Sequence, residues 1–368
     1  MTSDKNNAAI ISFANCAGVA REENCNPEKL GEALANHINC DHIVAVGISE
    51  VIVSVKSLPK CQWSISTELE SFYHSEVKHI DDLETFQKGF ERTNEKETKR
   101  YYLSHLNSRD FSHPEAIEKK WAGSNAPKRI VNEYNKSRDI YQGTGVLLYS
   151  KCQFVEGLQL RVPGKYPLSD MTNDPNVYLG TRDTEPRGAI ILHRLRLIDD
   201  LEVNIAFCQL ETNSDDIRIE TNEKKDKRPG INHRIAQIKR LADHLIKYND
   251  DRPIIIMGDF NARPGTKELN YLCDKYGFKH ILPDKTCGKD NLYNPDNVDS
   301  LKYTKSEKEQ GWPYSHLKHE ILIDHAFIKG FDQKEYGFGL DVIKLQNEDN
   351  PDDRYSDHRP IVLTITKV

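Results

Sequence analysis

Apolar residues in this chain fall into two kinds of run. Ile43-Val44-Ala45-Val46-Gly47-Ile48, Ile254-Ile255-Ile256-Met257 and the stretch Ile321 to Ile328 are dense and uninterrupted, the pattern of strands buried on both faces. Ala9 to Phe13 and Ile361 to Thr366 are shorter runs of the same kind near the two ends. Ile190–Leu197 and Leu201–Leu210 flank an Asp199-Asp200 turn and predict a hairpin. Tyr141 to Gly145 opens a strand over Val146–Ser150, for which Lys151–Leu160 is the expected partner. Elsewhere the period is helical. Leu30, Ala33, Leu34, His37 and Ile38 form one stripe, started by an Asn26 cap and Pro27 in the first turn. Ile231, Ile235, Ile238, Leu241 and Leu245 form another within Ile231–Tyr248. After a Pro264-Gly265 turn, Thr266 is suited to cap a third helix over Lys267–Tyr276.

Strand, helix and strand within the first fifty residues imply a right-handed crossover, which would bring Asn15 and Glu50 to one edge of a sheet. The alternation of elements as a whole is that of an α/β protein. Residues 56–140 break it. They mix charges of both signs with helix-like periodicity over Asp81–His105 and Pro114–Trp121. A stretch this long is not an ordinary loop, and it reads as a largely helical insertion within a single domain spanning 1–368. Residues 164–182, 213–229 and 277–310 read as loops.

Composition narrows the function classes. The net charge of −6 gives no global attraction to polyanions, so a nucleic acid would have to be met by a local patch. The 8 cysteines include no Cys-x-x-Cys pair and read as reduced thiols. Met1–Ala8 is polar, and no run approaches the roughly 20 apolar residues of a spanning helix. A cytoplasmic enzyme without a transmembrane segment is the expectation.

The candidate chemistry lies at the ends of the apolar runs. Gly258 closes the Ile254 strand, and Asp259 and Asn261 follow at a spacing of two. Held extended, they would point the same way and could orient a water. Taken alone, Asp and Asn there are ordinary turn residues. Glu50, alone, reads as well as a solvated strand-end acid. Asp324 lies in the Ile321 strand, and Ser356-Asp357-His358-Arg359-Pro360 precedes the last strand.

Together these stretches resemble the endonuclease/exonuclease/phosphatase (DNase I-like) superfamily. Its signatures are a Gly-Asp-Phe-Asn, an Ile-Asp strand and a late Ser-Asp-His, in this order. The resemblance implies a four-layered α/β/β/α sandwich of two facing mixed sheets with helices outside. It implies Mg2+, or Mn2+ in its place, on Glu50, with Asn15 and, through water, Asp357. It makes Asp259, aided by Asn261, the group that activates the attacking water, and His358, paired with Asp324, a cationic donor to the phosphate. Arg187 would face the rim. Gln209 stands where many members carry a substrate-facing His, and a glutamine cannot give up a proton at neutral pH. His193, in mid-strand, is no substitute. The implied activity is a metal-dependent phosphoesterase, foremost a nuclease on DNA or RNA. The alternatives are a phosphatase or phospholipase-type enzyme on an inositol phosphate, nucleotide or lipid headgroup, and a catalytically weak binding protein.

Overall fold

The structure is a computed structural model. It describes residues 8–16, 26–38, 40–55, 80–91, 98–107, 139–163, 184, 187–198, 201–212, 229–283, 313–317, 319–345, 348 and 355–368. Thirteen strands and four α-helices are found among them. In chain order they are β1 (Ala8–Asn15), α1 (Pro27–His37), β2 (Ile43–Val55), β3 (Ile80–Asp81), α2 (Asp82–Glu91), β4 (Lys99–Asn107), β5 (Asp139–Leu148), β6 (Phe154–Gln159) and β7 (Gly188–Arg196). Then follow β8 (Glu202–Gln209), α3 (Pro229–Lys247), β9 (Ile254–Asp259), α4 (Lys267–Tyr276), β10 (Lys279–Ile281), β11 (Asp324–Lys329), β12 (Tyr336–Val342) and β13 (Ile361–Lys367). No helix among the described residues is long and apolar enough to cross a membrane.

The strands form two mixed sheets. One runs β12-β13-β1-β2-β5-β4, with β3 added to β2, and the other runs β10-β11-β9-β8-β7-β6. Each has one parallel pair at its centre, β1 with β2 and β8 with β9, and antiparallel neighbours on both sides. Strand β9 shows why its sequence is apolar without alternation. Ile255 and Met257 enter the core between the sheets, while Ile254 and Ile256 face the layer that holds α3 and α4. On the other sheet, Val46 and Ile48 of β2 pack outward against Leu30 and Leu34 of α1 and Phe86 and Phe90 of α2. The layers are therefore helix, sheet, sheet, helix, with burial on both faces of both sheets.

Several local readings need correction. The segment from Lys99 to His105, expected to be helical, belongs to strand β4: Tyr101 and Leu103 pack on the inter-sheet core and Tyr102 on the opposite face, a period of two. Within 56–140, β3, α2 and β4 are described, whereas Pro114–Trp121 lies outside the described residues. Strands β10 and β12 fall where the patterning predicts none, since both are short or partly exposed edge strands. Asn26 caps α1 as expected, accepting from the Lys29 amide at 3.1 Å. Thr266 occupies the cap position of α4 but makes no side-chain cap bond. Cys16, Cys152, Cys208 and Cys273 are free thiols.

Two contacts fix the outer layers. Helices α1 and α2 meet at a pair of glycines: a Cβ on Gly31 would collide with the Phe86 carbonyl, and one on Gly89 with the Glu28 carbonyl. On the other sheet, Glu156 of the edge strand β6 holds His193 of β7 and His244 of α3, each at 2.8 Å. Burial opposes the charge of Glu156, but its two histidine partners outweigh that and bring its pKa down to about 2.

Gly89→Ala must push two packed helices apart. It is expected to cost about 1–3 kcal/mol, seen as a lower denaturation midpoint with an unchanged slope. The Glu156 contribution has a definite pH signature. A depressed carboxyl pKa stabilises the fold above the ordinary value near 4.5 and loses that contribution as pH falls toward about 2. Glu156→Gln should therefore be less stable than the parent near neutrality, with the gap narrowing as the denaturation buffer is taken below about pH 4.5.

Candidate active site

The C-terminal ends of the two parallel pairs lie at the same end of the sandwich, and their last residues are polar. Asn15 ends β1, Gln209 ends β8 and Asp259 ends β9. Glu50 comes from within β2 by way of a bulge. Ile48 pairs with Gly145 and Val51 with Gly143, so Ser49 and Glu50 together oppose one residue of β5. Glu50 takes φ 53°, a left-handed conformation that costs a side-chain-bearing residue about 1–2 kcal/mol. The bulge re-aims its carboxylate. Glu50 Oε1 accepts from Gln209 Nε2 at 2.8 Å and from Asn15 Nδ2 at 3.4 Å. The Asn15 amide also donates to Asp259 Oδ2 at 3.3 Å, linking the two sheets.

Asp259 needs a strand that approaches β8 closely. A Cβ on Gly258 would strike the Cys208 carbonyl, which explains glycine just before the acid. Across the β9–β11 ladder Asp259 pairs with Asp324. Burial first, then the charge of Asp324 and that of Glu50, push the Asp259 carboxyl up to about 7, with His358 and the Asn261 amide pulling the other way. Asp324 Oδ2 accepts from His358 Nδ1 at 2.8 Å. Burial disfavours a charged His358, but the charge and hydrogen bond of Asp324, then Asp357 and Asp259, reverse this and raise its pKa to about 10.

The segment carrying His358 is held from several sides. Ser356 Oγ donates to the Asn15 carbonyl at 2.6 Å and accepts the His358 amide at 3.0 Å. Arg359 lies over the Tyr314 ring and donates from Nε to Glu348 at 2.9 Å. Ser315 Oγ accepts the amides of Ile323 and Asp324, at 3.1 Å each. His325 donates to the Ala262 carbonyl at 2.7 Å and meets His280 at 3.1 Å through its other nitrogen. Burial lowers His325 to about 4, so the neutral ring pins the turn after Asp259.

Asn15, Glu50, Gln209, Asp259, Asp324 and His358 thus form one connected cluster. Three expected residues behave otherwise. Asn261 does not continue the strand. Its φ is 49°, its amide bonds Asp259 Oδ1 at 2.9 Å, and its side chain donates to the Leu210 carbonyl at 3.1 Å. It shapes the turn, as an Asx motif does. Gln209, expected at the substrate, is fully buried with its amide on Glu50. Arg187, expected at the rim, is buried and donates to Thr212 Oγ1 at 3.1 Å. Asp357 faces His316 and His358 at 3.8 and 3.9 Å. In the sequence His316 follows Trp312 and Tyr314 ahead of the Asp324 strand, where the resembled family has an aromatic, and that pattern gives it no role of its own.

Glu50, Asp259, Asp324 and Asp357 are 8%, 1%, 1% and 4% exposed. Among the described residues, the cation beside them is His358, and Arg359 is engaged by Glu348. That much buried negative charge suits a hard divalent cation with oxygen ligands. Among the described residues, ligand atoms of Asp259, Asp324 and His358, and those of His316, Asp357 and His358, lie within 4.8 Å of one another. Neither group contains Glu50.

No protein-family model matches the sequence, and no curated protein matches it. Solved structures do resemble it. One is an endonuclease/exonuclease/phosphatase family protein from Leptotrichia buccalis, 12% identical over 97% of this chain and 99% of that one, with a TM-score of 0.46. The human Nocturnin catalytic domain with bound sulfate is 13% identical over 98% and 95%, with a TM-score of 0.45. Truncated Caenorhabditis elegans TDP2 is 15% identical over 98% and 97%, with a TM-score of 0.44. Along nearly its whole length, the chain is similar in fold to endonuclease/exonuclease/phosphatase structures.

Proposed function

We propose that the chain is a magnesium-dependent phosphoesterase that cleaves phosphodiester bonds by attack of water, acting as a nuclease. The observation that carries this reading is the convergence of four buried carboxylates and one imidazolium on a single rim. Glu50 with Asn15, and Asp357 through water, would hold the ion. Magnesium there would neutralise the charge that builds on the phosphoryl oxygens. Gln209 acts on Glu50, fixing the carboxylate by its 2.8 Å hydrogen bond.

Asp259 takes the proton of the attacking water. A carboxyl raised toward neutrality is a better base than an ordinary one and is still largely ionised above pH 7. His358 donates to a non-bridging oxygen from Nε2, since Nδ1 is occupied by Asp324. Its raised pKa keeps it cationic across the physiological range. A second reading, a phosphatase or phospholipase-type enzyme on a small phosphate ester, is favoured by the net charge of −6, which gives no general pull on a polyanion.

The substrate class is tested with plasmid, single-stranded DNA, RNA and small phosphate esters, each with magnesium and with chelator. Magnesium-dependent cleavage confined to polymers supports the nuclease, and phosphate release from small esters supports the second reading. Turnover that survives chelation, or none on any substrate, would remove the proposal. Asp259→Asn and His358→Ala should each lower kcat by about 10²–10⁴-fold. Wild-type rates in either variant would contradict the assigned roles. The pH profile of turnover should be bell-shaped: it rises as Asp259 ionises and falls as His358 deprotonates near pH 10. A bound cation favours the carboxylate, so its acid limb should lie below pH 7 and move down as magnesium is raised.

A further inference from the structure

The amide nitrogen of Gln209 completes a network that leaves its oxygen over. Gln209 is fully buried and ends β8, directly opposite Asp259 in the parallel β8–β9 ladder. Its Nε2 donates to Glu50 Oε1 at 2.8 Å. Its Oε1, buried with the rest of the side chain, makes no hydrogen bond among the described residues. Turning the amide over does not help. A carbonyl oxygen would then stand 2.8 Å from a carboxylate oxygen, and neither atom donates.

A buried carbonyl without a partner costs free energy, and the groups around this one cannot satisfy it. Oε1 shares its carbon with Nε2 and so lies at the head of Glu50, with Asp259 as its ladder neighbour. Carboxylates only accept. The donors of the cluster serve other acceptors: the Asn15 amide is on Glu50 and Asp259, and His358 Nδ1 is on Asp324. A second cost is carried at the same spot, the left-handed bulge that brings Glu50 to this amide. An amide oxygen and a carboxylate are both hard oxygen ligands, and a divalent cation is the group that they can share.

We infer that Gln209 is a ligand of the divalent cation, its Oε1 joining Glu50 in the coordination shell while its Nε2 keeps that carboxylate in place. This rests on the reading that puts the ion at Glu50, and it makes position 209 part of the metal site rather than of the substrate site. The donor set gains a neutral oxygen in place of the nitrogen that a histidine would bring. Such a set favours Mg2+, Mn2+ or Ca2+ over Zn2+.

The role is tested on the full chain with metal alone. A crystal structure with Mn2+, located by its anomalous scattering, should place the ion on Glu50 with Gln209 Oε1 within roughly 2.0–2.6 Å, the span of hard-cation bonds to oxygen. Oε1 outside that span, or an ion bound away from Glu50, would overturn the inference. In calorimetric titrations Gln209→Leu should bind Mg2+ about tenfold more weakly than the parent. Gln209→Glu keeps an oxygen and loses the N–H, and should bind Mg2+ at least as tightly as the parent. A Gln209→Leu protein that binds like the parent would contradict the assignment. So would a Gln209→Glu protein as weak as Gln209→Leu, the result expected if the residue only steadies Glu50 by donating to it. Ion binding does not require turnover, so the two readings can fail separately. A parent that holds the ion through Gln209 but hydrolyses no substrate refutes the enzyme reading alone. Magnesium-dependent hydrolysis with the ion off Gln209 refutes this one alone, and a parent that binds no divalent cation refutes both.

Discussion

Asp259 and Asp324 are direct partners across an antiparallel ladder, both 1% exposed, and the rest of the site is arranged around that repulsion. Like charges opposite one another destabilise a sheet, and removal from water makes each charge dearer still. Each acid has its own compensation. Asp324 is covered by His358, at 2.8 Å, and Asp259 by the Asn15 amide and the Asn261 backbone. What remains uncovered is shared by Asp259 and Glu50, which explains both the raised Asp259 pKa and the suitability of the rim for a divalent cation.

The two sheets reach this rim by the same construction. In the first, β1, α1 and β2 carry an amide, Asn15, at the end of the first strand and an acid, Glu50, on the second. In the other, β8, α3 and β9 carry Gln209 and Asp259 in the corresponding places. Both amides donate to Glu50, and Asn15 also reaches Asp259. An amide donor beside each acid, rather than a lysine or arginine, keeps the carboxylates oriented while leaving their charge available to a metal and a substrate. This arrangement also gives Gln209 a physical role.

How much of this could be read in the sequence differs from residue to residue. The uninterrupted run Ile254 to Met257 announces a strand buried on both faces, because nothing but double burial favours so continuous an apolar stretch. Asn15, Glu50, Asp259 and His358 were legible because each ends or precedes such a run. Strand β4 was not, since its charged and aromatic residues mask a period of two at a sheet edge. Asn261 was misread because spacing cannot show that the backbone turns to a positive φ. The left-handed bulge at Glu50 was invisible for the same reason. Ser315 and Glu348 were hidden because their importance comes from segments that meet only in three dimensions.

Those meetings make the site inseparable from closure of the sandwich. Ser356 donates to the carbonyl of Asn15, 341 residues away, while Ser12 of β1 donates to the carbonyl of Ile361 at the start of the adjacent β13. Strand β1 is bounded on one side by the last strand of the chain and on the other by the strand that carries Glu50. His358 can therefore reach Asp324 only after the C-terminal strand has docked on the N-terminal one. Any state in which β13 is detached loses the imidazolium and leaves Asp259 and Asp324 facing each other with the charge of Asp324 unpaired. The pairing of β9 with β11 is thus opposed by acid repulsion until the histidine is seated beside the docked terminal strands, and the fold and its candidate chemistry are completed by the same contact.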